Sequence, residues 1–375
     1  MTAKERFLKA FKREKTDRLP VTTHHVMTSF LNKYMNGIST PEFFDYFGLD
    51  PINWFLPQKA NEEKGEYFEG EYINSSTWKV KYYDIPDNEY KTQRFEIITP
   101  KKTLTMVLQS NEHTTWIAEH LIKEKNEIDI LAEYMPWPTY DVEKINEEYE
   151  RYGDKGLLRA HILGFNIYGQ PGCWQDLACF YGIEKLIMET YDDPEWVHTF
   201  LKMILEKKMI CVESLKGAKY DILELGGGDA SSTVISPKLL EEFVLPYDKV
   251  IIEKAHEYGQ RIVYHTCGGM MPILEDILSM NPDAMETLTP PGMGGDVILS
   301  EVKRRIGDKV CLIGGFDQGY GFMCDPEETR KMVRKNFEDA GENGGYILCP
   351  SDHFFDAKLE CIAAFADEAK KCVYN

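Results

Sequence analysis

From about Leu157 to the carboxyl terminus, short β-rich apolar segments closed by Gly, Asn, Asp or Pro alternate with amphipathic stretches of roughly ten to twenty residues. Such repetition predicts parallel strands joined by crossover helices. The strands fall at 158–165, 221–225, 261–267, 283–288, 310–316 and 345–349. Ser236-Pro237, Asp325-Pro326-Glu327-Glu328 and the segment 297–306 announce helices between them. The amino-terminal part adds a helix at 3–11 and strands at 19–23 and 51–56, which brings the strand count to eight. Segments 77–83, 94–98 and 103–109 read instead as an antiparallel meander, because 84–88 and 99–102 carry turn chemistry. Residues 119–153 form a loose helical stretch. The prediction is an α/β fold: one (β/α)8 TIM barrel domain over 1–375, with a β-rich antiparallel insertion at about 75–110. A doubly wound open sheet competes, but Gly226-Gly227-Gly228-Asp229 lacks the G-x-G-x-x-G spacing that such a fold uses after its first strand.

Composition narrows the function classes. A hydrophobic share of 43% with 28% charged residues describes a soluble globular chain. No apolar run approaches the ~20 residues that span a bilayer, and the first residues carry no signal-peptide core. A cytoplasmic location is expected. The net charge of -19 opposes nucleic acid and anionic membrane surfaces, so neither is an expected partner. Nine cysteines, an odd number widely spread over 375 residues, do not form a disulfide framework and are expected as reduced thiols.

In a barrel, function sits where strands end, and these ends are polar. Glu224 to Asp229 closes the fourth strand, His265-Thr266-Cys267 the fifth, Glu286-Thr287 the sixth, Asp317-Gln318 the seventh and Cys349 to His353 the eighth. The most informative motif is His265-x-Cys267 with the distant Cys349. Side chains two apart on a strand share a face, so His265 and Cys267 can grip one ion while Cys349 supplies a third ligand and leaves one position open. A hydrogen-bonded core histidine with two ordinary thiols fits the bare pattern equally well. Glu224 can fill the open position or act as general acid/base, and a buried salt-bridged carboxylate fits it as well. Asp229 is, with Glu224, a candidate catalytic carboxylate, and Asp229, Asp317 and His353 are candidates for substrate contacts or for support of the metal ligands, with loop capping as the rival role. Of His24 and His25, alternation admits only one to the mouth, and His24 is favoured. Trp174 and Tyr264, with Tyr168, Phe316, Phe354 and Phe355, are aromatic candidates near strand ends, though packing is the usual occupation of such rings. Asp248 and His256 are expected on a helix, facing solvent or neighbouring helices.

Taken together, Glu5 to Ala10, Asp17-Arg18-Leu19-Pro20-Val21, the loop from Gly164 to Gly172 and the stretch from Glu224 to His353 resemble the uroporphyrinogen decarboxylase superfamily. The closer likeness is to its zinc-dependent, corrinoid-linked methyltransferase branch. That resemblance implies a (β/α)8 barrel, Zn2+ on His265, Cys267 and Cys349, and a corrinoid (cobalamin) carried by a partner protein, since this chain has no D-x-H-x-x-G corrinoid signature. Cys173, Cys311 and Cys361 find no corresponding role. One departure matters: porphyrinogen decarboxylases follow the first strand with arginines, whereas Thr22 to Thr28 has none here. Porphyrinogen decarboxylation is demoted accordingly. The expected activity is transfer of a methyl group from a small methylated substrate, such as a methoxylated aromatic, to a corrinoid protein, that is, O-demethylation. Methylation of a thiol from methylcobalamin, a metal-free lyase using Glu224, Asp229 and His265, and a non-enzymatic tetrapyrrole carrier are the alternatives.

Overall fold

Thr2 and Glu5 set the first helix, Ala3–Phe11, by a reciprocal cap: the Glu5 N–H donates to Thr2 Oγ1 and the Thr2 N–H to the Glu5 carboxylate. This orientation aims Phe7, Ala10 and Phe11 at the floor of a barrel, where they pack on Ile52, Leu157, Ile222, Val263, Ala284, Ile313 and Ile347. The computed structural model describes residues 1–59, 64–67, 70–86 and 88–374.

Strand β1 (Ile52–Trp54) leads out of the floor, and a hairpin of β2 (Lys64–Tyr67) and β3 (Gly70–Ile73) follows. An antiparallel sheet of β4 (Lys79–Ile85), β5 (Lys91–Ile98), β6 (Thr103–Ser110) and β7 (Thr115–Glu119) comes next. The barrel then resumes with β8 (Leu157–His161), β9 (Ile222–Gly226), β10 (Ile262–His265), β11 (Ala284–Thr287), β12 (Cys311–Phe316) and β13 (Tyr346–Pro350). Strands β1 and β8 to β13 form one parallel seven-stranded sheet in that order. Val21 carries the remaining barrel position: it bridges Leu348 of β13 in parallel, and its carbonyl accepts the Asp50 N–H at 2.7 Å. All eight predicted barrel positions therefore hold extended chain.

The helix signals also perform as read. Ser236 caps Pro237–Phe243, and Asp325 caps Pro326–Ala340 through the N–H groups of Glu327 and Glu328. The insertion is larger than predicted, because β7 adds a fourth strand that the sequence pattern had left at the edge of a helical stretch. Asn111 makes that return: its side chain accepts from the N–H groups of His113 and Thr114. Asp87, within the turn expected at 84–88, lies outside the described residues. The 119–153 stretch resolves into Ile128–Tyr134 and Val142–Tyr152. Among the described residues no helix is long and apolar enough to cross a membrane.

Candidate active site

Inward-facing positions change character along each strand. On β8 the order is Leu157, Arg159, His161; on β9, Ile222 then Glu224; on β10, Val263 then His265; on β11, Ala284 then Glu286. Adjacent strands in register set His161 beside Glu224 and His265 beside Glu286. Above the apolar floor, a layer of ionisable groups thus fills the barrel.

Arg159 is the hub. Its guanidinium donates to both oxygens of Glu286, at 2.9 and 2.5 Å, and to Glu224 Oε2 at 2.6 Å. Burial alone would disfavour the charged guanidinium, but Glu286 and Glu224 reverse this and leave its pKa raised. Glu286 in turn is held well below the usual carboxylate range: burial opposes ionisation, and Arg159 and His265 outweigh it. Glu286 Oε1 lies 3.0 Å from His265 Nδ1. Against the cost of burial, Glu224, Cys267 and Glu286 raise the His265 pKa well above its ordinary value. His24 enters from the chain after Val21 and stacks on His265 with ring centres 5.2 Å apart. Its nitrogens are 3.7 Å from Glu224 and 3.8 Å from Glu286, and burial keeps the ring neutral by pushing its pKa well down. Trp54 of β1 fixes this segment, donating Nε1–H to the His24 carbonyl at 3.0 Å and lying 4.4 Å from the Arg159 guanidinium.

Among the described residues, His24, Glu224, His265 and Glu286 each offer one ligand atom within 4.8 Å of the others. Cys267 and Cys349 are not members of that compact group. Cys267 follows the end of β10, in hydrogen-bonding reach of His265, and a Cβ added at Gly228 would meet its sulfur at 2.6 Å. Cys349 is buried on β13 and faces the barrel interior beside Glu286, with burial pushing its thiol up. The donor chemistry fits a zinc ion, since imidazole and thiolate are its usual ligands and Glu286 engages His265 at Nδ1. Arg159 and a protonated His265 offset the two carboxylates, and a metal held by His265 would take the place of that imidazolium proton.

Several predicted contacts are corrected. Tyr264 is one residue from His265 and so faces the opposite way, fully buried, with its hydroxyl donating to Asp248 at 3.0 Å in the helix layer. Asp248, expected to face solvent or neighbouring helices, is buried against the neighbouring helix, where it also accepts the Cys173 N–H. Trp174 is buried against Phe243 and donates to the Asp229 carbonyl, so it offers no ring to a substrate. Asp317 caps the short helix Gln318–Gly321 through the Tyr320 N–H. Asp229 is bracketed by Gln175, which receives its N–H and donates to its carboxylate, and burial raises its pKa. His353 does reach the mouth, with its ring 5.7 Å from His24 and 5.0 Å from His25. Arg159 and Glu286 were missed as site residues, although the alternation that selects Leu157 and Ala284 as inward selects them too.

Comparison with known proteins agrees with this architecture. A methyltransferase from Methanosarcina mazei shares the fold, with TM-score 0.62 and 13% identity over 99% of both chains. The uroporphyrinogen decarboxylase of Pseudomonas entomophila (strain L48) is 27% identical over 233 residues, 59% of this chain and 61% of its own length. That of Trichodesmium erythraeum (strain IMS101) is 24% identical over 264 residues, 68% of this chain and 69% of its own. The match thus spans less than two thirds of the Pseudomonas enzyme. Residues 172–372, more than half of the chain, match the family model "Uroporphyrinogen decarboxylase (URO-D)", and the chain belongs to that family.

Proposed function

We propose that this protein is a methyltransferase that moves a methyl group from a small methylated substrate, such as a methoxylated aromatic, to a corrinoid carried by a separate protein, with zinc held by His265, Cys267 and Cys349. The observation that carries this reading over porphyrinogen decarboxylation is the state of Arg159. A substrate with many carboxylates needs free guanidinium partners. Arg159 is instead committed to Glu224 and Glu286, both within 2.9 Å. The methyltransferase likeness over the whole chain supports the same choice.

When bound, zinc supplies Lewis acidity to the heteroatom that carries the methyl group. The chain's own residues do the rest. Glu224 of β9 relays to the heteroatom a proton taken from water at the mouth, as the bond from that heteroatom to the methyl carbon breaks. His24 and His353 line the mouth as imidazoles that orient the substrate. Glu286 and Arg159 keep the charged layer balanced while the mouth stays open to the corrinoid protein. Nine free cysteines suit a cytoplasmic setting that keeps thiols reduced.

The test mixes zinc-loaded protein, reduced corrinoid protein and candidate methyl ethers. Methyl–cobalt absorbance is expected with at least one donor. Methylation of thiols from methylcobalamin, with no donor demethylated, would reverse the direction. A protein that takes up no zinc and releases CO2 from a carboxylic acid would return it to the lyases.

A further inference from the structure

Two carboxylates face one guanidinium, yet they are held differently. Glu286 is 2% exposed and both of its oxygens are occupied: each accepts from Arg159, and Oε1 also meets His265 Nδ1 at 3.0 Å. Glu224 has 13% of its side chain exposed, accepts one bond from Arg159 through Oε2, and keeps Oε1 3.9 Å from His265 Nδ1, beyond hydrogen-bonding distance. The strands enforce the contrast. His265 of β10 is level with Glu286 of β11, whereas Glu224 of β9 is level with Val263, one side-chain step nearer the floor.

We propose a division of labour between them: Glu286, locked by Arg159, is a positioning residue that fixes the His265 ring through Nδ1 and presents Nε2 to the metal, while Glu224 is the carboxylate free to turn toward the reacting group. The inference rests on the zinc reading above. Its physical basis is that an imidazole which donates Nδ1–H to a fixed carboxylate has its lone pair on Nε2, with tautomer and ring angle both set. A carboxylate held by three contacts, to Arg159 of β8 and His265 of β10, cannot also serve as a mobile proton carrier. One with a single hydrogen bond and a more exposed side chain can.

The first experiment uses the unmutated protein. Zinc is replaced by cadmium-113 in protein with nitrogen-15-labelled histidines, and the metal–nitrogen couplings are read by NMR. Coupling from the metal to Nε2 of His265, with Nδ1 protonated, is expected; coupling to Nδ1 would overturn the proposal. The second compares zinc affinity by chelator competition in two variants. Glu286→Gln should bind zinc about 10- to 100-fold more weakly, the usual cost of losing a carboxylate behind a histidine ligand. Glu224→Gln should stay within about twofold of the parent affinity while its turnover drops. Equal loss of zinc in both variants would remove the distinction. Should the unmutated protein bind no zinc at all, the zinc reading itself fails, a result separate from a zinc protein whose metal sits on the wrong nitrogen.

Discussion

Ile222 and Glu224 point the same way from the same strand, two residues apart, and they live by opposite physics. Ile222 belongs to the floor, where Phe7 and Phe11 of the first helix close over Leu157, Val263, Ala284 and Ile347 in one apolar cluster. Glu224 belongs to the layer above, where Arg159, Glu286, His24 and His265 are taken out of water and kept in place by one another. Burial stabilises the floor directly. In the upper layer burial opposes each charge, and only the mutual pairing makes the arrangement tolerable. A single barrel interior is thereby divided into a half that holds the fold and a half whose groups are available for chemistry.

The largest expected effect breaks the upper layer at its hub. Arg159→Met leaves two carboxylates in the interior without their cation and should cost about 3 to 5 kcal/mol of stability. Urea or thermal unfolding measures it, and a loss under about 1 kcal/mol would mean that the layer does not depend on this pairing. Next, Glu224→Gln keeps shape and burial but removes the proton carrier. Turnover should fall about 100-fold or more, read as methyl–cobalt formation per enzyme, with the protein still folded. Unchanged turnover would take Glu224 out of the chemistry. Directly beneath it, Ile222→Val should cost about 1 kcal/mol of stability and leave turnover per folded molecule alone. A large loss of activity there would erase the boundary between the two halves.

The smallest effect concerns pH. Burial, then His353 and Arg159, hold the His25 imidazole down at about 3. An unfolded histidine titrates near 6.5, so between these values the unfolded chain takes up a proton that the folded chain refuses. The stability that depends on neutral His25 is complete above about pH 6.5 and is lost progressively as pH falls toward 3. In His25→Phe the unfolding midpoint should therefore decline less steeply over that window than in the parent. Identical slopes would show that His25 is not shielded from protonation by the fold.

Much of the site was within reach of simple alternation. Arg159 and Glu286 follow Leu157 and Ala284 at a spacing of two and share their inward face, whereas Tyr264, adjacent to His265, faces the other way. Aromatic character near a strand end does not by itself place a ring in the site. The ring of Tyr264 is spent on a buried hydroxyl bond to Asp248, and that of Trp174 on the Asp229 carbonyl. Asp317 and Asp229 show the ordinary competition between loop capping and function: backbone N–H groups at a helix start or turn claim a nearby carboxylate first.

By itself the sequence determined the eight extended segments, the capped opening helix, and which of two neighbouring residues shares a face with its strand's apolar positions. These are consequences of local periodicity, of turn chemistry and of the cap between Thr2 and Glu5, all readable within a dozen residues. Only the tertiary structure decided that one guanidinium would stand between two glutamates from β9 and β11, that His24 would stack on His265, and that Cys267 and Cys349 would not be members of the compact cluster. Periodicity states which way a side chain points. Its partner is set by strand register and barrel closure, which bring together residues more than a hundred positions apart and which no local pattern encodes.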